Sequence, residues 1–165
     1  MVRSLLEFSR KTEFRRKPYS LKYLVEDTVR LLQGDIPSKV EVNVAVTEEI
    51  WVHVDKQRIQ QALLNFIKNA IEAIPDDGSV TVEAVHKTNE HEVVIAIRDN
   101  GIGIEPEKLE KIFEPFFTTK GDEKGSGLGL FVTREIIEEH GGTVQVESRP
   151  GEGTTFYVRL PHKEA

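Results

Sequence analysis

The chain has 165 residues, of which 38% are hydrophobic and 30% are charged, and its formal net charge is −6. This length fits one ordinary domain with a real core, and the negative charge disfavours nucleic acid as a partner. The absence of cysteine excludes disulfides and thiolate metal sites and fits a reducing cytoplasm. No stretch approaches the roughly 18 apolar residues of a transmembrane helix, and the N-terminus lacks the apolar segment of a signal peptide, so we expect a soluble chain.

The first third of the chain predicts helices and two strands. Residues 4–17 have the pattern of a helix end followed by a linker, and a helix is predicted to follow Pro18 and to end near Gly34. Strict alternation of apolar and polar residues predicts strands at 40–46 and 51–55.

The remainder predicts a long helix, two hairpins and two further helices. The long helix runs from Asp55, its N-cap, to Ile74, and Pro75 stops it. After it we expect strands at 79–86 and 92–99, helices at 106–113 and 128–140, and strands at 143–148 and 154–160. This order predicts an α+β two-layer sandwich, with a mixed, mostly antiparallel sheet covered on one face by about three helices.

The long helix carries polar residues where a helix former would be expected. Asn65, Asn69 and Glu72 share a face roughly opposite to the apolar one. Asparagine is a poor helix former, because its amide competes for backbone hydrogen bonds. One interpretation is a solvated face. The other is a set of oxygen ligands for Mg²⁺, which takes one or two protein ligands beside substrate phosphates.

The stretch RDNGIGI, residues 98–104, places a carboxylate at the end of a strand that is apolar at nearly every position. Gly101 and Gly103 follow Asp99 in GxG spacing. One interpretation is an ordinary turn. The other is a binding site, in which Asp99 accepts a hydrogen bond from an exocyclic amino group and the glycines let a flat ligand approach the backbone.

Residues 118–127, TTKGDEKGSG, are all polar or glycine and form a segment too long for a tight turn. We therefore expect a mobile lid. Gly125, Gly127 and Gly129 lie where a helix is predicted to begin, near Leu128. The free N–H groups of a helix start favour anions, so the stretch is interpreted either as a hinge or as a phosphate site.

Five stretches, taken in order, carry a family resemblance. NFIKNAIEAI, DNGIGI, FEPFFTTK, GSGLGL and GEGTTF resemble the N, G1, F, G2 and G3 boxes of bacterial sensor histidine kinase catalytic domains. The resemblance spans about residues 18–161, and it implies the ATP-binding Bergerat fold shared with gyrase, Hsp90 and MutL. It also implies that residues 1–17 end a dimerisation-domain helix and its linker, that 18–162 form the catalytic domain, and that 163–165 are a tail.

The resemblance implies a Mg-ATP site. Asn69 would coordinate Mg²⁺ and act in catalysis together with Lys120, while Asp99 would accept the adenine amino group and Thr154 would line the base pocket through water. A lid would run from about Thr118 to Ser126. The residues expected to contact the nucleotide are Asn65, Asn69, Glu72, Ala73, Asp99, Gly101, Gly103, Ile104, Lys120, Gly125, Ser126, Gly127, Leu128, Gly129, Leu130 and Thr154.

Two positions depart from the common family pattern. Glu72 stands where many such kinases have a lysine, as in a nitrogen-regulator-like subset, so Mg²⁺, Lys68 or Lys120 would neutralise the phosphates. Asn65 stands where hydrolytic relatives have a glutamate, and an asparagine cannot take a proton from water. We therefore expect slow ATP hydrolysis.

None of the five histidines lies in the HExxxP pattern of a phosphoacceptor. The resemblance therefore implies that the histidine lies on a dimerisation and phosphotransfer domain, and that a response regulator receiver domain takes the phosphoryl group. It implies a cytoplasmic domain, monomeric as this fragment and homodimeric in the full-length protein. The alternatives are a serine kinase of the anti-sigma-factor type and a non-catalytic ATP-dependent interaction module.

Overall fold

A computed structural model describes residues 14–46, 49–115 and 129–162. Its helices are α1 Leu21–Leu32, α2 Lys56–Glu72, α3 Pro106–Leu109 and α4 Gly129–Glu139. Its strands are β1 Lys17–Ser20, β2 Val40–Ala45, β3 Trp51–Val54, β4 Gly78–Lys87, β5 Glu92–Asp99, β6 Thr143–Arg149 and β7 Gly153–Pro161. Short 3₁₀ turns follow α1 at Gln33–Asp35 and β4 at Thr88–Glu90.

The main sheet has the strand order β2-β4-β5-β7-β6, in which β2 and β4 are parallel and every other pair is antiparallel. The central strand β5 turns Val93, Ile95 and Ile97 toward the core, and each is at most 1% exposed. Helices α1, α2 and α4 pack together on that face. The predicted α+β two-layer sandwich, with its mixed and mostly antiparallel sheet, is confirmed.

Side-chain caps start the two longest helices. The Ser20 hydroxyl accepts the Tyr23 N–H at 3.4 Å and begins α1. Asp55 does the same for α2, because its Oδ1 accepts the Arg58 N–H at 3.2 Å. Each cap satisfies one of the N–H groups that a first helical turn leaves unpaired. The predicted N-cap at Asp55 is therefore correct.

The structure corrects the expectation around Pro18. Residues 17–20 form β1, which pairs with β3 as a separate antiparallel two-stranded sheet, with Lys17 opposite Val54. The sequence predicted a linker and then a helix, but α1 begins only at Leu21. Proline has no N–H and biases the residue before it toward an extended conformation, so a short edge strand is physically reasonable here.

The predicted helix at 106–113 is also shorter than expected. α3 ends at Leu109, and turns follow it up to Pro115. Ile112 and Phe113 are nevertheless buried in the main core. Among the residues that the structure describes, no helix is both long and apolar enough to cross a lipid bilayer.

Candidate functional site

The polar face of α2 lies partly against α4. Asn65 and Asn69 are half-buried one turn apart, and Glu72 is exposed in the last turn. The Asn65 amide donates from Nδ2 to the Thr133 hydroxyl on α4 at 3.1 Å, and that hydroxyl donates to the Gly129 carbonyl at 2.6 Å. Asn65 therefore ties α2 to the first turn of α4.

Asp99 ends the central strand β5 and is only 6% exposed. Its Oδ1 accepts the Gly101 N–H at 2.8 Å. Burial raises the pKa of the Asp99 carboxyl above its ordinary value, although hydrogen bonds from the Gly101 and Thr154 N–H groups oppose the shift. A carboxylate has room for about four donors, so Asp99 can also accept one from a ligand.

The loop that follows Asp99 is held on two sides. The Ile102 N–H donates to the Ala73 carbonyl at the end of α2, at 2.9 Å. The Ile102 carbonyl accepts the Gly151 N–H from the β6–β7 turn, at 2.7 Å. These two bonds bring the C-terminal end of α2, the loop and the β6–β7 turn together, although they are far apart in sequence.

The glycines of this loop allow close backbone contact. A Cβ on Gly101 would overlap the Ala73 carbonyl, and a Cβ on Gly103 would overlap the Arg149 carbonyl. Gly103 also has φ +74°, a conformation that favours glycine. The glycines were expected to let a base and ribose approach the backbone. The structure adds a different reason for them, which is the packing of the loop against protein backbone.

A pair of hydroxyl groups completes this end of the sheet. Thr154 on β7 lies directly opposite Asp99 in the strand register and is 5% exposed. Ser148 on β6 lies opposite Thr154, and their hydroxyl oxygens are 2.8 Å apart. The Ser148 hydroxyl also accepts the Ile104 N–H at 2.7 Å. The structure thus brings together Asp99, Thr154 and Ile104, three of the residues that the resemblance assigns to the nucleotide site.

The model of the histidine kinase-, DNA gyrase B- and HSP90-like ATPase family matches residues 54–164. That range is more than half of the chain and includes every site residue predicted above. The chain belongs to this ATPase family.

Solved and curated relatives agree. The catalytic domain of histidine kinase ThkA, in a nucleotide-free form, superposes with a TM-score of 0.79 at 33% identity, covering 93% of this chain and 100% of that one. The complex of ThkA with the response regulator protein TrrA gives a TM-score of 0.81 at 30% identity, covering 98% of this chain and 46% of ThkA. This ATPase domain is thus homologous to sensor histidine kinase catalytic domains.

Among curated proteins, Sporulation kinase E of Bacillus subtilis (strain 168) is 37% identical over 157 residues, which are 90% of this chain and 21% of that protein. Sensor histidine kinase ZraS of Salmonella typhi is 37% identical over 163 residues, which are 98% of this chain and 34% of that protein. The chain therefore spans about a fifth to a third of the length of these kinases.

Part of the predicted site of this ATPase domain lies outside the described residues. The predictions in that category concern Lys120, Gly125, Ser126, Gly127, Leu128 and the lid at 118–126. At the start of α4, Gly129 is exposed, with no described residue near its Cβ position, and Leu130 is half-buried against the core.

Sequence reasoning missed Ser148. It lies outside the five family boxes, in a strand whose apolar residues Val144 and Val146 share its face. A serine in the series of inward-facing valines was the available signal, because a polar residue on a buried face needs a hydrogen-bonding partner.

A cavity of about 710 Å³ lies at the same end of the sheet. Asp99 and Thr154 line it together with Thr81, Arg98 and Thr155. The latter three lie in one register row across β4, β5 and β7, on the sheet face opposite to Asp99 and Thr154. Most of the strand residues that line the cavity lie on that opposite face, so the cavity is largely on the side of the sheet away from the predicted site.

Proposed function

We propose that this domain binds Mg-ATP and transfers the γ-phosphoryl group to a histidine on a dimerisation domain, for relay to a response regulator receiver domain. The observation that carries the proposal is Asp99, a buried acceptor at the end of the central strand in a chain of the histidine kinase-like ATPase family. The solved complex of ThkA with TrrA supports the choice of partner class. We further propose a cytoplasmic domain, monomeric alone and part of a homodimer in the full-length protein.

The residues at this end of the sheet fit an adenine base. Asp99 offers an acceptor for the exocyclic amino group, and its partial protection from water strengthens such a bond. Thr154 is its cross-strand neighbour, and Ile104 is held beside them through Ser148. Ala73 adjoins the same loop and brings α2 close to the base.

The polar face of α2 fits a hard cation beside phosphates. Asn69 would hold Mg²⁺ through its amide oxygen, a ligand type that the ion accepts. When bound, Mg²⁺ would supply positive charge that offsets the charge of the phosphates. Asn65, already bonded to Thr133, would keep α2 and α4 in fixed relation at this point. Lys120 stays a predicted phosphate contact. Because Glu72 stands in place of a lysine, we expect Lys68 or Lys120 to neutralise the phosphate charge that Mg²⁺ leaves.

Transfer to a protein is favoured over hydrolysis. In the transfer, the bond from the γ-phosphorus to the bridging oxygen breaks, and a bond to the histidine nitrogen forms. The protein contributes positioning and electrostatic stabilisation. Asn65 occupies the place where hydrolytic relatives carry a glutamate base, and an amide cannot accept the proton of a water molecule.

The test is a phosphotransfer assay with radiolabelled ATP. The fragment alone should take up no acid-labile label, and addition of the dimerisation domain of its full-length protein should give labelled histidine on that domain. Asn69→Ala should abolish the transfer, whereas Gln61→Ala, at an exposed position of α2, should not. ATP binding without any transfer would favour the interaction module, and acid-stable label on serine would favour the anti-sigma-factor type.

A further inference from the structure

Ser148 makes three polar contacts within one small region. Its hydroxyl accepts the Ile104 N–H at 2.7 Å, donates to the Gly153 carbonyl at 3.0 Å, and lies 2.8 Å from the Thr154 hydroxyl. No family box includes Ser148, and the proposed function uses it only to hold Ile104 in place. These contacts nevertheless link the loop after Asp99 to β6 and β7.

Counting protons fixes the direction of each bond. A serine hydroxyl has one proton and two acceptor positions. The Ile104 N–H can only donate and the Gly153 carbonyl can only accept, so the Ser148 proton is directed to Gly153. The remaining contact, to Thr154, then needs the proton of Thr154. The Thr154 hydroxyl is therefore a donor to Ser148 and offers only lone pairs to a ligand.

Asp99 and Thr154 consequently present acceptors side by side. They are directly opposed across β5 and β7 on the same sheet face, where Cβ atoms are about 4.5–5.5 Å apart. Two adjacent acceptors fit the amino group of a ligand, directly or through water, and disfavour a carbonyl oxygen at the same place. Purines differ in this way at position 6, where adenine carries an amino group and hypoxanthine carries a carbonyl.

We propose that Ser148 is a positioning residue that commits Thr154 as an acceptor and thereby strengthens the preference for 6-aminopurine over 6-oxopurine nucleotides. This inference rests on the proposed function, because it requires the base of ATP to bind beside Asp99. A merely structural serine, which only held the loop to β6, would affect both kinds of nucleotide equally.

The experiment compares the dissociation constants of Mg-ATP and Mg-ITP, measured by calorimetry on the folded chain at about pH 8, where an ordinary carboxyl is ionised. The wild type should prefer ATP. In Ser148→Ala the Thr154 proton is free to bond to the carbonyl oxygen of hypoxanthine. The ratio of the ITP dissociation constant to the ATP dissociation constant should therefore fall about three- to tenfold, the effect of one hydrogen bond. Ser148→Thr keeps a hydroxyl and should keep the ratio.

Two further variants separate orientation from packing. Thr154→Val removes the hydroxyl that Ser148 orients and leaves the bonds of Ser148 to Ile104 and Gly153 in place. It should lower the ratio by itself, and adding Ser148→Ala should lower it no further. Thr155→Val is the matched control, because Thr155 is buried but lies on the opposite sheet face, and its ratio should equal that of the wild type.

The outcomes distinguish this inference from the proposed function. If Asp99→Asn weakens ATP binding but Ser148→Ala and Thr154→Val leave the ratio unchanged, the role of Ser148 is refuted and the ATP site stands. A wild type that binds both nucleotides equally refutes it as well. If the wild type binds no ATP, or Asp99→Asn has no effect on ATP binding, the base site itself is wrong.

Discussion

The two ends of α2 use buried aspartates in opposite ways. At the N-terminal end, Asp55 is 8% exposed and bonds to groups of the protein itself. It caps Arg58 and accepts the Arg15 N–H at 3.0 Å. Near the C-terminal end of α2, Asp99 is equally buried, but beyond the bonds from the Gly101 and Thr154 N–H groups its carboxylate keeps acceptor capacity for a ligand. Burial of a carboxyl therefore does not identify a site, and what matters is where its hydrogen bonds go.

At the N-terminal end of α2, hydrogen bonds and an ion pair join the protein's own groups in what we call the closed network. The His140 ring accepts the Asp55 N–H on Nε2 at 3.0 Å and donates from Nδ1 to the Ile136 carbonyl at 2.8 Å. Arg58 pairs with Glu139 at 2.6 Å. The segment before β1 joins this network, because the Phe14 ring packs edge-on against His140 with centroids 4.6 Å apart. The network therefore connects the segment before β1 to α2 and α4.

The largest expected effect concerns the loop after Asp99. Gly103→Ala should lower the free energy of unfolding by at least about 3 kcal/mol, since it combines left-handed strain with overpacking against the Arg149 carbonyl. Gly151→Ala is the control, because its φ is +79° and none of the residues that the structure describes lies near its Cβ position. It should cost only about 1 kcal/mol. Urea unfolding checks both, and equal losses would contradict the close approach at Gly103.

The same substitution at the two aspartates should give opposite results. Asp99→Asn should weaken Mg-ATP binding about tenfold or more, because it removes a charged acceptor. Asp55→Asn should leave binding nearly unchanged, and because asparagine still caps the helix but cannot also accept the Arg15 N–H, it should cost only about 1 kcal/mol of stability. Calorimetric titration with ATP checks both, and similar losses of affinity in the two variants would remove the distinction between the two ends.

Asp99→Asn has a second expected consequence, for stability. Because the pKa of Asp99 is raised in the folded protein, the ionised carboxyl destabilises the fold at neutral pH, and stability falls as pH rises toward that pKa. Removing the charge should therefore raise Tm or leave it unchanged at pH 7. A clear loss of Tm in Asp99→Asn would show that the carboxylate supports the fold.

The closed network should be sensitive to acid. Burial lowers the pKa of His140, and nearby Arg16 lowers it further, whereas the bond to Ile136 and the charges of Asp55 and Glu139 oppose the shift. The unfolded chain therefore binds the proton more readily than the folded one. The neutral His140 ring contributes to the free energy of unfolding at neutral pH, and this contribution is lost as pH falls below about 6.5.

The free energy of unfolding should rise with pH in this range, and His140 should contribute at most about 1.4 kcal/mol per pH unit to that slope, the value for one proton. Urea unfolding at several pH values measures it. His140→Gln should remove this part of the slope, and His53→Gln, in the exposed face of β3, should keep it. A wild-type slope equal to that of His140→Gln would contradict the buried neutral ring.

Substitutions that break ion pairs should have the smallest effects on the stability of the fold. Glu139→Gln breaks the pair with Arg58, whose side chain is only 10% exposed, and should cost about 1 kcal/mol or more because the arginine stays buried. Asp76→Asn breaks the exposed pair with Lys39 and should cost at most about 0.5 kcal/mol. Thermal unfolding checks the order, and a larger effect for Asp76→Asn would reverse it.

Local patterns predicted most of the fold. Period-two alternation located β2 and β3, and the N-cap at Asp55 located α2. β1 was missed because a four-residue strand containing Pro18 has no alternation to detect, and its conformation comes from pairing with β3. α3 was predicted too long because KLEKIF has helical spacing, while burial of Ile112 and Phe113 is achieved with turns instead.

The candidate site was predictable only in part. Asp99 and Thr154 could be proposed from motifs, and the strand register places them side by side. Contacts between distant segments could not be predicted from the sequence. Two examples are the packing of Gly103 on Arg149 and the hydrogen bond from Ile104 to Ser148. No local pattern records which backbone group a side chain will meet some 40 residues away in the chain.

The central claim is that the Asp99 end of the domain binds the base of ATP and the Asp55 end does not. Amide ¹H–¹⁵N NMR spectra of the labelled chain during a Mg-ATP titration test it most directly. We predict saturable shifts at Gly101, Ile104 and Thr154, with the amides of Asp55 and His140 unchanged. Shifts confined to Asp55 and His140, or no shifts at saturating Mg-ATP, would contradict the claim.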